Sequence, residues 1–349
     1  MLKKKLKYKK FIDGKTFFVT GGTGSFGKKF IYTLLKEYNP KKIIIFSRDE
    51  LKQYNLQNDP FFKKHEKKLR YFIGDIRDRE RLDFALSNNH IDILVHSAAL
   101  KQVVAAEYNP FETIKTNIIG AQNIIESSLK YKVKKILALS TDKAAAPINL
   151  YGATKLASDK IFVSSNNFSK RNSLLSVVRY GNVFGSRGSV IFNFLKNKNL
   201  ITITDKRMTR FSITIQEGVN FVIKSLSEMW GGEIFIPKIP SYNILDLAEA
   251  VNPKAKLVFS GIRSGEKIHE EMLTTSDSFN SIENDDHYVI LPSFDYLSWD
   301  KKSYLKGKNK LNYRECKPHS YSSDNNKNFL KINDLKRLIK KIEIDEKLR

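Results

Sequence analysis

Cysteine is almost missing: Cys316 is the one thiol in 349 residues. That excludes an internal disulfide and suits a reducing compartment. The six histidines are scattered, so no metal site is read. Long apolar runs are missing too. None approaches the ~18 residues of a membrane span, and Lys3 to Lys10 leads into Asp13, Gly14 and Lys15 where a signal peptide would have its apolar core. Internal repeats and low-complexity linkers are absent. The expectation is a soluble, cytoplasmic protein without a metal or a membrane span. Acidic residues are in short supply, 37 against 61 Lys and Arg, for a net charge of +24. Such a charge invites a nucleic-acid partner, but the lysines are spread along the whole chain and no nucleic-acid motif accompanies them. We read no nucleic-acid partner; the field would gather phosphate-bearing ligands, and the first ten residues form a solvated basic tail.

The chain is long enough for two domains, or one large domain with a smaller appendage. Thr16 to Thr20 is a short apolar strand. Gly21-Gly22-Thr23-Gly24-Ser25-Phe26-Gly27 follows it, and then an amphipathic helix carrying Phe30, Ile31, Leu34 and Leu35. Strand, glycine turn and helix in that order let backbone amides approach a pyrophosphate at the helix N-terminus. A second strand, Lys42 to Phe46, ends in Ser47-Arg48-Asp49. Ser47 and Arg48 suit the 2′-phosphate of NADP, while Asp49 keeps NAD open. A third, Arg70 to Gly74, ends in Asp75-Ile76, where a carboxylate and an aliphatic side chain would grip an adenine. A fourth, Asp92 to His96, runs into Ser97-Ala98-Ala99-Leu100-Lys101, with His96 read as packed structure and Lys101 free to reach a substrate. A helix from Phe111 to Lys130, carrying Thr116 and Asn117, returns to the sheet.

The chemistry is expected between Ser140 and Lys155. Lys134 to Leu139 is an unbroken apolar run, as in a parallel strand covered on both faces. Ser140 to Lys143 then lie at its carboxyl end, where open α/β sheets bind ligands. Pro147 delays the next helix to about Asn149 or Leu150, so Tyr151 and Lys155 are one turn apart on one face. A lysine charge there would favour the Tyr151 phenolate, making it a base for a hydroxyl proton. A sixth strand, Leu174 to Val178, leads to Asn182 and glycines that suit a substrate wall. Alternating strands and helices make a doubly wound parallel α/β sheet. Regularity then breaks. Arg210 and Arg263, the latter in Gly261 to Lys267, are candidates for a diphosphate or for structural ion pairs. Residues 293 to 328 read as irregular, and Ile332, Leu335, Leu338, Ile339 and Ile342 as one face of a last helix with a cap at Asn333.

Read in order, TGGTGSFG, FSRDELKQ, STDKAAAPINLYGATKLASDK, RYGNVFGSRGSV, MTRF, GGEIFIPKIP, GIRSGEKIHEEM and SSDNN resemble the blocks of the extended short-chain dehydrogenase/reductases, and closely the inverting UDP-N-acetylglucosamine 4,6-dehydratases of the pseudaminic-acid pathway. The resemblance implies a Rossmann-like domain over 1–183, with a returning segment near 212–237, and a smaller, mainly substrate-binding C-terminal α/β region over 184–349. It implies NADP, a UDP-sugar substrate and a homo-oligomer. It places Thr141 and Tyr151 at the C4 hydroxyl and Lys155 beside Tyr151 and the nicotinamide ribose. Asp142 and Lys143 would perform the elimination, and Glu266 joins Lys101, Asn182, Arg210 and Arg263 at the substrate. Lys143 would then be the C5 base, its pKa lowered by Lys155, Lys101 and the oxidised nicotinamide. Retaining relatives resemble Asp-Glu where this chain has Asp142-Lys143, so a retaining dehydratase or a C4-epimerase is the alternative. Departures from the family pattern at Ser97, Gln102, Val104 and Ser264 bear on sugar specificity.

Overall fold

The computed structural model describes residues 2–169, 172–186, 188–292, 301–306 and 312–347. Short apolar runs bounded by turns form six strands: β1 (Thr16–Thr20), β2 (Lys42–Ser47), β3 (Leu69–Ile73), β4 (Ile93–His96), β5 (Lys135–Thr141) and β6 (Leu174–Tyr180). They pair in parallel in the spatial order β3-β2-β1-β4-β5-β6. The order reverses between β1 and β4, which opens a crevice at the carboxyl ends of these strands. Further along come β7 (Asn182–Phe184), β8 (Leu200–Ile203), β9 (Thr209–Thr214) and β10 (Ile234–Pro237). Of these β10 returns to pair in parallel with β6, and His287–Ile290 and Ser281–Glu283 extend that edge antiparallel. The inner strands of this sheet are buried on both faces because helices cover both, while the edge strand β3 is partly open.

A second, smaller core gathers Ile191, Phe194, Ile201, Leu247, Leu335 and Ile339. It sits under β8 paired with Lys256–Phe259, and beside β9 between β7 and Ser241–Asn243. The two cores face each other across the carboxyl edge of the large sheet. No helix among the described residues is long and apolar enough to cross a membrane.

Several expectations change. The basic N-terminal stretch is a helix, Leu2–Ile12, and not a solvated tail. Tyr8, Phe11 and Ile12 lie at positions that share one helix face; Ile12 is buried, and the Lys135 ammonium sits 4.9 Å above the Phe11 ring. The lysine run concealed this apolar stripe. The helix expected over Phe111 to Lys130 is interrupted by a wider turn at Lys115–Ile119, between Pro110–Ile114 and Gly120–Lys130. Within the stretch read as irregular, Lys301–Lys306 is helical, while 293–300 and 307–311 lie outside the described residues. The last helix, Ile332–Lys347, starts ahead of Asn333; the Asp334 carboxylate caps it by accepting from the Lys331 amide.

One buried ion pair fastens β5, β6 and the Leu150–Ser164 helix together. Arg179 donates to the Met272 carbonyl at 3.1 Å and lies 3.3 Å from Asp159 Oδ2, which also accepts from Ser140 at 2.8 Å. Arg179→Leu leaves Asp159 buried without its cation, and urea unfolding should show a loss of about 3–5 kcal/mol. Adding Asp159→Asn should restore much of it, since the unpaired charge is then gone.

Candidate active site

One cleft of about 1130 Å³ runs along the carboxyl edge of the sheet. It exceeds the ~300–1,000 Å³ of an ordinary small-molecule pocket, so it has room for two ligands end to end. Its floor at one end is the glycine turn: Gly21, Thr23, Gly24, Ser25, Phe26 and Gly27 all line it. Gly21 has φ +65°, and a Cβ there would come within 2.9 Å of the Ala98 amide, so the turn and the β4 loop lie too close for any side chain. The Ser25–Glu37 helix begins at Gly24, which has no side chain to satisfy the first amides; they face the cleft as an anion site.

Ser47, Arg48, Asp75 and Ile76 form the far wall. Arg48 Nη1 stands 3.5 Å from Asp75 Oδ2. Asp49 is engaged elsewhere, capping the next helix by accepting from the Lys52 amide at 2.9 Å. Burial works to raise the Asp75 carboxyl, but hydrogen bonds from Arg77 and the charges of Arg77 and Arg48 take it below its ordinary range. Ser97 and Thr116 close this half. The wide turn at Lys115–Ile119 puts Asn117 against the Leu100 backbone, with which it exchanges two hydrogen bonds of 2.9 Å, and so pins the Ser97 to Lys101 loop. Thr116 Oγ1 is buried with no hydrogen-bond partner, an orphan that a bound cofactor would satisfy. His96 is structural as expected: its Nδ1 meets Thr20 Oγ1 at 2.8 Å, and burial, with Lys155, pushes it down to about 3.

The other half is built by β5 and the following helix. Asn149 caps that helix through the Gly152 amide, and its Nδ2 donates to the Gly265 carbonyl at 2.8 Å, tying the helix to the opposite loop. Gly152 has no room for a Cβ because the Lys143 carbonyl is in the way. That approach lays Tyr151 beside Thr141 and Lys143. Thr141, Lys143, Tyr151 and Lys155 line the cleft, whereas Asp142 is fully buried behind them. Asp142 Oδ1 accepts from Thr141 Oγ1 at 2.9 Å and from Lys143 Nζ at 3.1 Å.

Two electrostatic expectations are overturned. Lys143 is not pushed down by neighbouring cations. Burial disfavours its charge, but Asp142 and Glu270 outweigh burial and hold the ammonium above the lysine range; Glu270 Oε1 lies 2.9 Å from Nζ. Tyr151 is pushed up to about 12, chiefly by burial, and the cation that opposes this is Lys143, not Lys155. Burial lowers Lys155 itself, with Asp159 opposing. Burial also raises Asp142, with Lys143 opposing and Glu270 reinforcing, so Asp142 tends to hold a proton.

Glu270 was not singled out from the sequence: it lies in the GIRSGEKIHEEM block, but nothing in that stretch tells its role from that of Glu271 beside it. Lys267 was missed as well; its ammonium donates to the Ala145 carbonyl at 2.8 Å. Lys101, Asn182, Arg263 and Glu266 all line the substrate half. Arg210 lines it too, but its guanidinium donates to the carbonyls of Thr209, Ile268 and Lys267, which fits the structural alternative better than a free diphosphate ligand.

The polysaccharide biosynthesis protein family matches residues 17–292. A Campylobacter jejuni protein (serotype O:23/36, strain 81-176) named UDP-N-acetylglucosamine 4,6-dehydratase (inverting) is 47% identical over 95% of this chain and 99% of its own. A Rickettsia bellii (strain OSU 85-389) UDP-glucose 4-epimerase is 36% identical over 97% of this chain and 99% of its own. The X-ray structure of Pen from Bacillus thuringiensis superposes with a TM-score of 0.83 at 35% identity, covering 97% of this chain and 100% of that one. By sequence and by fold, the chain belongs to the polysaccharide biosynthesis protein family of extended short-chain dehydrogenase/reductases.

Proposed function

We propose that this enzyme is a hydro-lyase that dehydrates UDP-N-acetylglucosamine at C4 to C6 with inversion at C5, giving UDP-2-acetamido-2,6-dideoxy-β-L-arabino-hexos-4-ulose. NADP is its cofactor, the pseudaminic-acid pathway its setting and a homo-oligomer its working form. Residues 1–183 with the returning segment 212–237 serve the cofactor, and 184–349 mainly the sugar nucleotide. The observation that carries the reading is Lys143: a cleft-facing lysine, hydrogen-bonded to a buried acid, beside Tyr151 at the carboxyl end of β5. An epimerase has to move only the C4 hydrogen. A base and an acid together at C5 and C6 suit elimination.

When bound, NADP would supply reversible hydride transfer between C4 and C6. Gly21, Gly24 and the amides of the Ser25–Glu37 helix would hold its pyrophosphate, Arg48 the 2′-phosphate, Asp75 and Ile76 the adenine, and Ser97, Thr116 and Lys155 the nicotinamide end. Tyr151 takes the C4 hydroxyl proton, with Thr141 and Lys143 stabilising the phenolate. The resulting ketone acidifies C5–H. Lys143 removes that proton, and Asp142, which accepts a hydrogen bond from Thr141, gives its own proton to the departing 6-hydroxyl. Arg263, Lys101, Asn182 and Glu266 hold the UDP-sugar, while Arg210 shapes their loop.

The decisive experiment is incubation with UDP-N-acetylglucosamine in heavy water. The product should be lighter by one water, carry deuterium at C5 and have inverted configuration by NMR. Loss of water with C5 retained would mean a retaining dehydratase, and an unchanged mass with C4 inverted an epimerase.

Separate variants should divide the reaction. Tyr151→Phe should prevent formation of reduced nicotinamide and all later steps. Lys143→Ala should slow oxidation, because Tyr151 loses the cation that favours its phenolate, and slow the later steps far more, so that reduced nicotinamide absorbance still accumulates while product formation falls by about 10²–10⁴-fold, the usual contribution of a general base. Dehydration by Lys143→Ala at the parental rate would remove Lys143 from the base position.

Arg48→Ala should weaken NADP far more than NAD in direct titrations, because only NADP offers a 2′-phosphate to the guanidinium. Equal losses would leave Arg48 as a partner of Asp75 alone.

A further inference from the structure

A lysine held protonated by its neighbours is a poor base. Lys143 Nζ contacts Asp142 Oδ1 at 3.1 Å, Glu270 Oε1 at 2.9 Å and Asn182 Oδ1 at 3.4 Å. Some group must take its proton before it can attack C5–H. Asp142 is ill suited, because burial already favours its protonated form. Glu270 is ionised, with Lys143 and Arg210 holding its carboxyl below the ordinary range against the effect of burial.

Glu270 is also fixed in place. Its amide donates to Ser323 Oγ at 2.9 Å, its carbonyl accepts from the Ser323 amide at 2.7 Å, and Ser323 in turn meets Thr209 Oγ1 at 2.7 Å. The residue is 2% exposed. Its Oε2 is buried with no hydrogen-bond partner, so the carboxylate has one oxygen on Lys143 and one free to carry a proton.

We propose that Glu270 is the positioning residue that turns Lys143 into a base: it fixes the ammonium beside the substrate and takes up the proton that Lys143 must lose. This rests on the dehydratase reading above. An N–H bond of Lys143 breaks and an O–H bond forms on Glu270, so ammonium and carboxylate become amine and carboxylic acid with no change in total charge. The amine then takes the C5 proton, and the C–H electron pair enters the enolate of the 4-ketone. The C6–O bond breaks as Asp142 gives its proton to the departing 6-hydroxyl, which leaves as water. Glu270 returns its own through Lys143 to Asp142, which shares the same nitrogen. The proton released from the C4 hydroxyl makes up the one that comes back to C5.

Coverage of the cleft by substrate favours this shift, because two charges cut off from water lose hydration that a neutral pair does not need. The groups facing the pair are Asp142 on its own turn, Asn182 on β7, Tyr151 on the following helix, Arg210 on β9, Tyr242 on the neighbouring strand and Lys267 on the loop before Glu270. Arg210 stands 3.9 Å from Glu270 Oε1 and opposes protonation. The neutral pair is therefore a transient state of the covered site.

The test uses the full-length enzyme with NADP and UDP-N-acetylglucosamine, comparing the parent with Glu270→Gln and Glu270→Asp. Three quantities are read: substrate-dependent reduced nicotinamide absorbance, deuterium uptake at C5, and the pH dependence of that uptake. Glu270→Gln should form reduced nicotinamide within about threefold of the parent yet lose about 10²-fold or more in C5 exchange. Its lysine must then release its proton to solvent, so exchange should climb about tenfold per pH unit across a range where the parent is flat. Glu270→Asp, which can carry a proton, should recover part of the rate and the flat profile. A Glu270→Gln enzyme with parental exchange overturns the proposal, and so does equal loss of both half-reactions with an unchanged pH profile. If the parent leaves the UDP-sugar unaltered, the dehydratase reading falls and takes the proposal with it.

Discussion

The ammonium of Lys143, held between the Glu270 carboxylate and the carboxyl group of Asp142, is the interaction on which the site depends. It joins the end of β5, in the large sheet, to the loop that comes from Lys256–Phe259, the strand paired with β8 over the second core. Neither half completes it alone. Burying the charge of Lys143 or of Glu270 without the other would cost several kcal/mol, so the pair holds the two halves in register. Asn149 and Lys267 reinforce the same seam with hydrogen bonds to Gly265 and Ala145.

Close backbone approach does the remaining positioning. At Gly152 the helix meets the Lys143 carbonyl without a side chain between them, and at Gly21 the phosphate turn meets the loop after β4. These two contacts set the cofactor half and the chemical half along one cleft. Beneath it Asp159 takes Arg179 from β6 and Ser140 from β5, and so locks the strand that carries Thr141 to the helix that carries Tyr151 and Lys155. The reactive groups thus stand on regular elements whose own packing is dry and tight, which is how side chains are kept within the narrow tolerances of proton transfer.

The electrostatics of the site follow from burial more than from helical spacing. Tyr151 and Lys155 are one turn apart, as their sequence separation requires, yet the cation that lowers the phenol's pKa is Lys143. Lys155 is depressed by burial and answers to Asp159. Spacing along a helix shows which residues share a face; it does not show how much water is left around them, and the protonation state depends on that water.

Local pattern determined much of this protein. The apolar runs located β1 to β6 to within a residue or two, and the Gly21 to Gly27 turn, the start of the Leu150–Ser164 helix after Pro147 and the Tyr151 and Lys155 pair were legible because each depends on neighbours a few residues away. The N-terminal helix escaped because its lysines outweigh the three apolar residues that dock it. The interruption at Lys115–Ile119 escaped because hydrogen-bond slippage within a helix leaves no mark in periodicity. Glu270, Lys267 and the role of Arg210 were decided only by tertiary structure. Their partners lie about sixty to over a hundred residues away in sequence, and a charge acquires its meaning only when folding brings a distant opposite charge into the same water-poor volume.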